Sequence, residues 1–436
     1  MKMTKHSDYQ KRFDSFSNYE LYRNLEEGSR NAIKDIGMKY QLTYQELRQL
    51  TDMAVDFVMW DETSIGKQWN YEENSIQHSD RLAKKKILRS IHNNWEKLKE
   101  NATNYDSNVR KREYKTEGRK LKTISGDNAV FGMCPVASEK TVCCNLRTID
   151  VAQGCGLGCS YCSIQTFYEG GTIAVEDNLA DKLAAIELDP NKNYHIGSGQ
   201  SSDSLALGNK NGILDAQLEF ARNNPNIILE FKTKSKNVKH LLQAAVPSNI
   251  FVSWSMTPQV FIDHEEARTA TIEQRLQAAR QLADAGIIVG FHFHPIIYYH
   301  GWNADYNELI NRLKAMFSAR EVGLISFGTL TFIKPAIKSL RMASMRSKIL
   351  QMPFADAAGK ISYPMETKKK IFSGVWDTFQ SWQDEVFFYF CMEDRQVWES
   401  VFGRCYETNE DFEQDLFTSV SKKLQTISEP INSQKN

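Results

Sequence analysis

No stretch of this chain is apolar enough for long enough to cross a bilayer: the longest apolar run, residues 386–392, falls far short of the roughly 20 residues a spanning helix needs. The first ten residues lack the apolar core of a signal peptide. These absences lead to the expectation of a cytoplasmic protein with no membrane partner. Net charge is also missing, since 54 Lys and Arg balance 54 Asp and Glu. No global field therefore draws the chain to nucleic acid, and any such affinity must be local. Internal repeats and low-complexity tracts are lacking too. Cysteines number eight in 436 residues, and six of them fall between Cys134 and Cys162. In a reducing compartment such clustering excludes a disulfide framework and points to metal or redox work.

The chain is longer than one hydrophobic core usually grows, and its texture predicts three regions. Residues 1–125 read as a charged, helical N-terminal region, with Leu82, Ile87, Ile91, Trp95 and Leu98 at helical spacing. Within it, residues 108–122 carry Arg110, Lys111, Arg112, Lys115, Arg119, Lys120 and Lys122 against Glu113 and Glu117, which suits a solvated linker or a basic arm. Residues 126–345 alternate short β-branched or aliphatic runs with helical patterns. Residues 346–436 read as a helical, aromatic region containing Trp376, Phe379, Trp382, Phe387 and Phe388.

Six strands are expected in the middle region, near 148–152, 194–198, 227–233, 250–255, 287–294 and 322–329. Helices are expected between them near 175–187, 213–223, 237–245, 272–285 and 306–317. Such βα units suit an α/β fold, a partial (β/α)6 barrel of TIM type with helical additions at both ends. Residues two apart on a strand share a face. Glu230, Lys232 and Lys234 therefore share one face of the third strand, Ser253 and Ser255 one face of the fourth, and His292 and His294 one face of the fifth. A charged face on a buried strand is costly unless it meets a partner or ligand, so the lumen should be polar.

The chemistry concentrates just after the first strand, in Cys155-Gly-Leu-Gly-Cys159-Ser-Tyr-Cys162, where parallel barrels place their active sites. Thiolates ligate iron-sulfur clusters, usually four of them, and three closely spaced cysteines leave one iron open to an outside ligand. Gly154, Gly156 and Gly158 permit the tight loop that wraps a cluster. The competing reading, zinc, wants a fourth Cys or His nearby, and none occurs between Cys162 and His195.

This CxxxCxxC pattern, with an aromatic before the last cysteine and a βα barrel after it, resembles the radical S-adenosylmethionine (SAM) superfamily. A closer resemblance spans residues 150–332, with an echo near Cys391. It is carried by Gly199-Gln-Ser-Ser-Asp-Ser-Leu-Ala-Leu207, Lys232-Thr-Lys-Ser235 with Asn237-Val238, Ser253-Trp-Ser255, Gly290-Phe-His-Phe-His-Pro-Ile-Ile297, Gly301-Trp302, Gly328-Thr-Leu330 and Cys391-Met-Glu393. Together these resemble the spore photoproduct lyase family of radical SAM enzymes, which act on a DNA lesion. The resemblance implies a radical SAM barrel with a [4Fe-4S] cluster on Cys155, Cys159 and Cys162. It implies SAM held by Ser202, Lys234 and Ser255, with Lys232 as an alternative to Lys234. It also implies a 5′-deoxyadenosyl radical, a reductant such as flavodoxin or ferredoxin, nucleic acid as partner, and carbon-carbon lyase chemistry in DNA repair. SAM carries a carboxylate, so a lysine and hydroxyls at the barrel mouth suit it independently. Bland alternatives are Lys234 pairing with Glu230, Ser255 satisfying a strand end, and Ser202 with Asp203 capping the next helix.

Two positions depart from the family. Where it has a cysteine that returns a hydrogen atom to the product radical, this chain has Gln200, which cannot do that chemistry. Where it has a tyrosine after the last cluster cysteine, this chain has Ser163, although Tyr161 remains. Tyr161, Tyr168 or another cysteine is then left as donor, or the substrate is a protein, a tRNA or a small metabolite. Cys134, Cys143 and Cys144, with Cys391 or Cys405, either hold a second metal or are buried thiols. His292 and His294 either meet a substrate phosphate or proton, or satisfy the core. A second basic run, Lys334, Lys338, Arg341, Arg346 and Lys348, has no acidic residue within it, so either it contacts phosphates or it is a solvated helix face. Tyr298, Tyr299 and Trp302 either stack on an extruded base or pack in the core.

Overall fold

Short runs rich in Ile, Val and Phe with turn residues between them pair into one eight-stranded sheet. In chain order its strands are β1 (Phe131–Met133), β2 (Arg147–Ile149), β3 (Tyr194–Ser198), β4 (Ile227–Thr233), β5 (Ile250–Ser255), β6 (Val289–Ile296), β7 (Val322–Thr329) and β8 (Phe387–Phe390). Strands β2 to β8 are parallel and lie in sequence order, while β1 covers the β2 edge antiparallel. The crossover helices include Ile213–Asn223, Ile272–Asp284 and Trp302–Met316. Thr271 starts the second of these with a reciprocal capping box to Gln274. The computed structural model describes residues 2–76, 81–105, 120–126, 128–134, 141–163, 172–199, 201–343, 345–357 and 359–428. Among these no helix is long and apolar enough to cross a membrane.

The six expected strands are all present as β2 to β7, in a curled sheet of the partial-barrel type. Two local expectations are corrected. Residues 175 and 176 do not open a helix but end a strand, Thr172–Glu176, which pairs with Lys120–Ile124 and Ala152–Gln153 in a second sheet. Its Ile173 and Val175 are buried, so alternation governs the segment, and the helix starts only at Leu179. Phe387 and Phe388 lie on β8 rather than in a helix. All four residues of β8 are buried and pair with Leu324 to Phe327 of β7, so an aromatic run that seems helical by company is a strand by burial.

The chain divides into two compact units, residues 1–113 with 332–355, and residues 114–331 with 356–436. The second contains both sheets just described. The first is helical, and Ile87 and Ile91 of Arg81–Glu100 are buried as their spacing predicts, whereas Leu82 is exposed. At its centre the buried Asp56 accepts two hydrogen bonds from Arg341, at 2.8 and 2.7 Å, and one from Trp95 at 3.0 Å. Arg346 pairs with Asp61 and Lys338 with Glu20. Three cations of the second basic run are thus matched by carboxylates distant in sequence. Most of the first basic run, residues 106–119, lies outside the described residues.

Candidate active site

The loop after β2 is held in place by the segment after β5. Cys159 bridges Glu266, Ser160 N–H donates to Glu265 O at 2.9 Å, and Arg268 N–H donates to Leu157 O at 3.1 Å. Ser160 Oγ adds a bond to the Glu265 carboxylate. Gly158, with φ of +67°, has the left-handed backbone such a tight loop needs, and a Cβ there would press on Ala267 at 3.3 Å. This tether brings Cys155, Cys159 and Cys162 to the wall of one cavity of about 170 Å³. Tyr161, Gly199, Ser202, Asp203, Lys232, Lys234 and Ser255 line the same space. Burial, reinforced by Glu266, pushes the Cys159 thiol well above its ordinary value.

Glu266 is the hub of this wall. Its Oε1 accepts from Tyr161 Oη, from Lys234 Nζ at 3.0 Å and from Thr257 Oγ1 at 3.0 Å, while Oε2 accepts from Arg275 and Thr269. Burial alone would raise its pKa, but the charges of Arg275 and then Lys234 hold the carboxyl well below the usual range. One carboxylate against two cations leaves a positive excess beside the cavity. Tyr161 also packs against Phe261 in a tilted pair, with ring centroids 5.5 Å apart, and burial followed by the Glu266 charge keeps its phenol protonated.

Asp203 does a different job from its neighbour Ser202. It accepts from the backbone N–H groups of Leu205, Ala206 and Lys234 and from Thr233 Oγ1, tying a turn to the end of β4. Ser202 Oγ is buried on the cavity side with no partner among the described residues. A buried hydroxyl left unpaired costs about 1–3 kcal/mol, which a ligand acceptor would recover. Three thiols spread around a cavity suit a cluster better than one ion, and among the described residues no three His, Cys, Asp or Glu side chains converge on a single metal position. The residues present therefore fit an iron-sulfur cluster with SAM beside it.

Lys234 pairs with Glu266, not with Glu230. Glu230 instead closes a buried layer across the lumen: it accepts from Ser253 Oγ, His195 Nε2 and His292 Nε2, and Ser326 Oγ donates to His292 Nδ1. Burial would raise the Glu230 carboxyl, yet His292 and His195 hold it well below its ordinary range. His292 itself is pushed down to about 4 by burial and the charge of Lys232, so it is a neutral structural donor. Tyr299 and Trp302 are buried, which favours the core alternative for them.

Cys134, Cys143, Cys144 and Cys391 share one neighbourhood. Val142 bridges Glu393 antiparallel, and Cys144 lies close enough to Cys391 and Cys134 for their charges to act on it. Cys143 is lowered to about 6 chiefly by a hydrogen bond from Cys144, whose own thiol is pushed well above its ordinary value. Cys405 lies apart, near Arg395 and Tyr406. Gln200 and Tyr168 fall outside the described residues. Sequence patterns did not single out Glu266 or Arg275, because a Glu pair in a loop and an Arg inside an amphipathic helix carry no motif.

Known proteins resemble this chain over part of its length. A family model described as spore photoproduct lyase matches residues 91–357. Spore photoproduct lyases of Geobacillus sp. and Bacillus subtilis are each 27% identical, over 208 and 210 residues, covering 46% of this chain and 61% of each relative. The chain thus spans less than two thirds of those relatives. Among solved structures, a spore photoproduct lyase mutant with bound AdoMet and dinucleoside spore photoproduct superposes with a TM-score of 0.53 at 25% identity, over 62% of this chain and 82% of that one. A second, complexed with dinucleoside spore photoproduct, matches with a TM-score of 0.53 at 24% identity and shares the fold.

Proposed function

Because the chain belongs to the spore photoproduct lyase family, we propose that it is a radical SAM enzyme acting on a thymine-derived lesion in nucleic acid. The observation that carries this reading is the single cavity lined by three cysteines, two lysines and the orphaned Ser202 hydroxyl. Cys155, Cys159 and Cys162 would hold the [4Fe-4S] cluster, and Ser202, Ser255 and Lys234 would hold SAM. Once bound, cluster and SAM supply a 5′-deoxyadenosyl radical when an electron-donor protein such as ferredoxin or flavodoxin provides an electron.

The chain's own residues position and insulate. The Glu265 and Glu266 tether fixes the cysteine loop. Lys234 has two N–H groups beyond the one given to Glu266, enough for a carboxylate. Ser202 and Ser255 add neutral donors. Since glutamine has no abstractable hydrogen of suitable strength, Gln200 cannot be the atom donor. Tyr161, which lines the cavity with its hydroxyl on Glu266, takes that role by giving its O–H hydrogen atom to the product radical, and the tyrosyl radical left behind returns to the phenol on taking one electron from the donor protein and one proton.

Anaerobic reconstitution with iron and sulfide, followed by dithionite and SAM, should release 5′-deoxyadenosine. Added spore-photoproduct dinucleotide should be converted to the repaired dinucleotide, and Tyr161→Phe should keep SAM cleavage while losing repair. SAM cleavage without any repair by the parent protein would transfer the enzyme to another substrate class, as Gln200 also suggests.

A further inference from the structure

The lumen is built in layers, because residues two apart on adjacent parallel strands rise together. Glu230 of β4, Ser253 of β5, His292 of β6 and Ser326 of β7 make one layer, and its donors and acceptors satisfy one another. Two residues further toward the mouth come Lys232, Ser255, His294 and Gly328 on the same four strands. This second layer has a different character. It holds an ammonium, a hydroxyl and an imidazole, and no carboxylate. Among the described residues neither Lys232 nor His294 has a hydrogen-bond or ion-pair partner. Lys234, one layer higher, already has Glu266.

Space is kept for this layer. Gly328 carries no side chain where its neighbours do, and a Cβ there would lie 2.7 Å from the His294 ring, so the ring rests flat against bare backbone. Lys232 lines the cavity beside Ser255. Burial, followed by the charges of Lys232 and Lys234, keeps His294 well below its ordinary value, so it offers a neutral N–H next to a cation. A half-buried cation with donors around it and no counter-charge among the described residues favours an arriving anion.

We infer that Lys232 and His294 form an oxyanion subsite in the lumen that receives the phosphodiester joining the two nucleosides of the lesion. The inference rests on the lesion reading above and deepens it: the enzyme would read a backbone-linked dinucleotide, not the altered bases alone. Lys232 is then a substrate residue, and the carboxylate of SAM, the other oxyanion at this site, is left to Lys234, Ser202 and Ser255. The phosphate enters and leaves with substrate, and no bond to it is made or broken.

The test is equilibrium binding to the reconstituted full-length protein with SAM and no reductant, comparing the spore-photoproduct dinucleotide with the dinucleoside that lacks the bridging phosphate. A charge-assisted contact predicts that the parent prefers the dinucleotide by about tenfold or more. Lys232→Met and His294→Ala should each reduce that preference to within about threefold and leave SAM affinity near that of the parent. His294→Asn, which keeps an N–H donor, should retain part of it, and melting curves identify any variant that has not folded. Equal binding of the two lesions by the parent overturns the subsite while sparing the lesion reading. A Lys232→Met protein that loses SAM affinity but keeps the phosphate preference assigns the lysine to SAM and also overturns it. Binding of neither lesion overturns the subsite and the lesion reading together.

Discussion

Replacing Glu266 by glutamine changes one atom's chemistry in a site with no slack. A glutamine amide has one oxygen and one NH2, but Glu266 meets cations on both carboxylate oxygens, Lys234 on Oε1 and Arg275 on Oε2. Whichever way the amide turns, one cation faces its NH2. Arg275 is fully buried and cannot withdraw, whereas the Lys234 side chain is 14% exposed. The amide should therefore keep its oxygen on Arg275 and release Lys234. Breaking a buried ion pair costs about 3–5 kcal/mol, and the rotatable Tyr161 and Thr257 hydroxyls should hold the loss to about 3 kcal/mol. Glu266 bridges the cysteine loop, so the loss should appear as local opening of that loop. Hydrogen exchange of Ser160 and Arg268, whose N–H groups bond across the tether, should then accelerate by roughly a hundredfold. Affinity for SAM should fall as well, through the freed Lys234. Exchange at these two amides within threefold of the parent would refute the placing of Glu266 as the hub of the wall.

Other expectations follow from single residues. Ser202→Ala removes an unpaired buried hydroxyl, so the SAM-free protein should melt no lower than the parent while SAM binds roughly tenfold more weakly. His292 is held at about 4 against an ordinary 6.5. The unfolded chain therefore takes up a proton between those values that the folded one refuses, and stability should fall by up to ~3 kcal/mol as pH drops from 6.5 to 4, and stay flat above 6.5 as far as this group is concerned. Denaturant titrations of His292→Gln across that window should show a shallower fall. Arg341→Met leaves Asp56 buried without its cation and should destabilise the helical unit by about 3–5 kcal/mol, seen as a lower melting point with the iron content of the reconstituted protein unchanged. Gly328→Ala should displace the His294 ring at a cost of about 1–3 kcal/mol, measured by chemical denaturation.

How much was legible in the sequence depended on how local the determining physics is. Strands β3, β4, β5 and β7 matched their predicted spans because apolar runs between turn residues report burial directly. The cysteine loop was legible for a similar reason, since three ligands for one cluster must be close in the chain. Strand β8 was missed because four aromatic residues have no period and sit among helical neighbours. The charged face of β4 was read correctly as needing partners, but which partner each residue takes is a three-dimensional matter. Glu230 took two histidines, Lys234 took a glutamate 32 residues away, and Lys232 took none among the described residues. The second basic run shows the same limit: its counter-charges Asp56, Asp61 and Glu20 lie some 300 residues earlier.

The tether of the cysteine loop has a consequence for how such an enzyme survives oxygen. The bonds that anchor the loop to the segment after β5 run from backbone to backbone and through the Glu265 carboxylate. Oxidative loss of iron would then empty the wall without dismantling it. Recovery becomes a question of supplying iron, sulfide and reduced thiols to a surface that has kept its shape, and the protein need not pass again through an unfolded state to become competent.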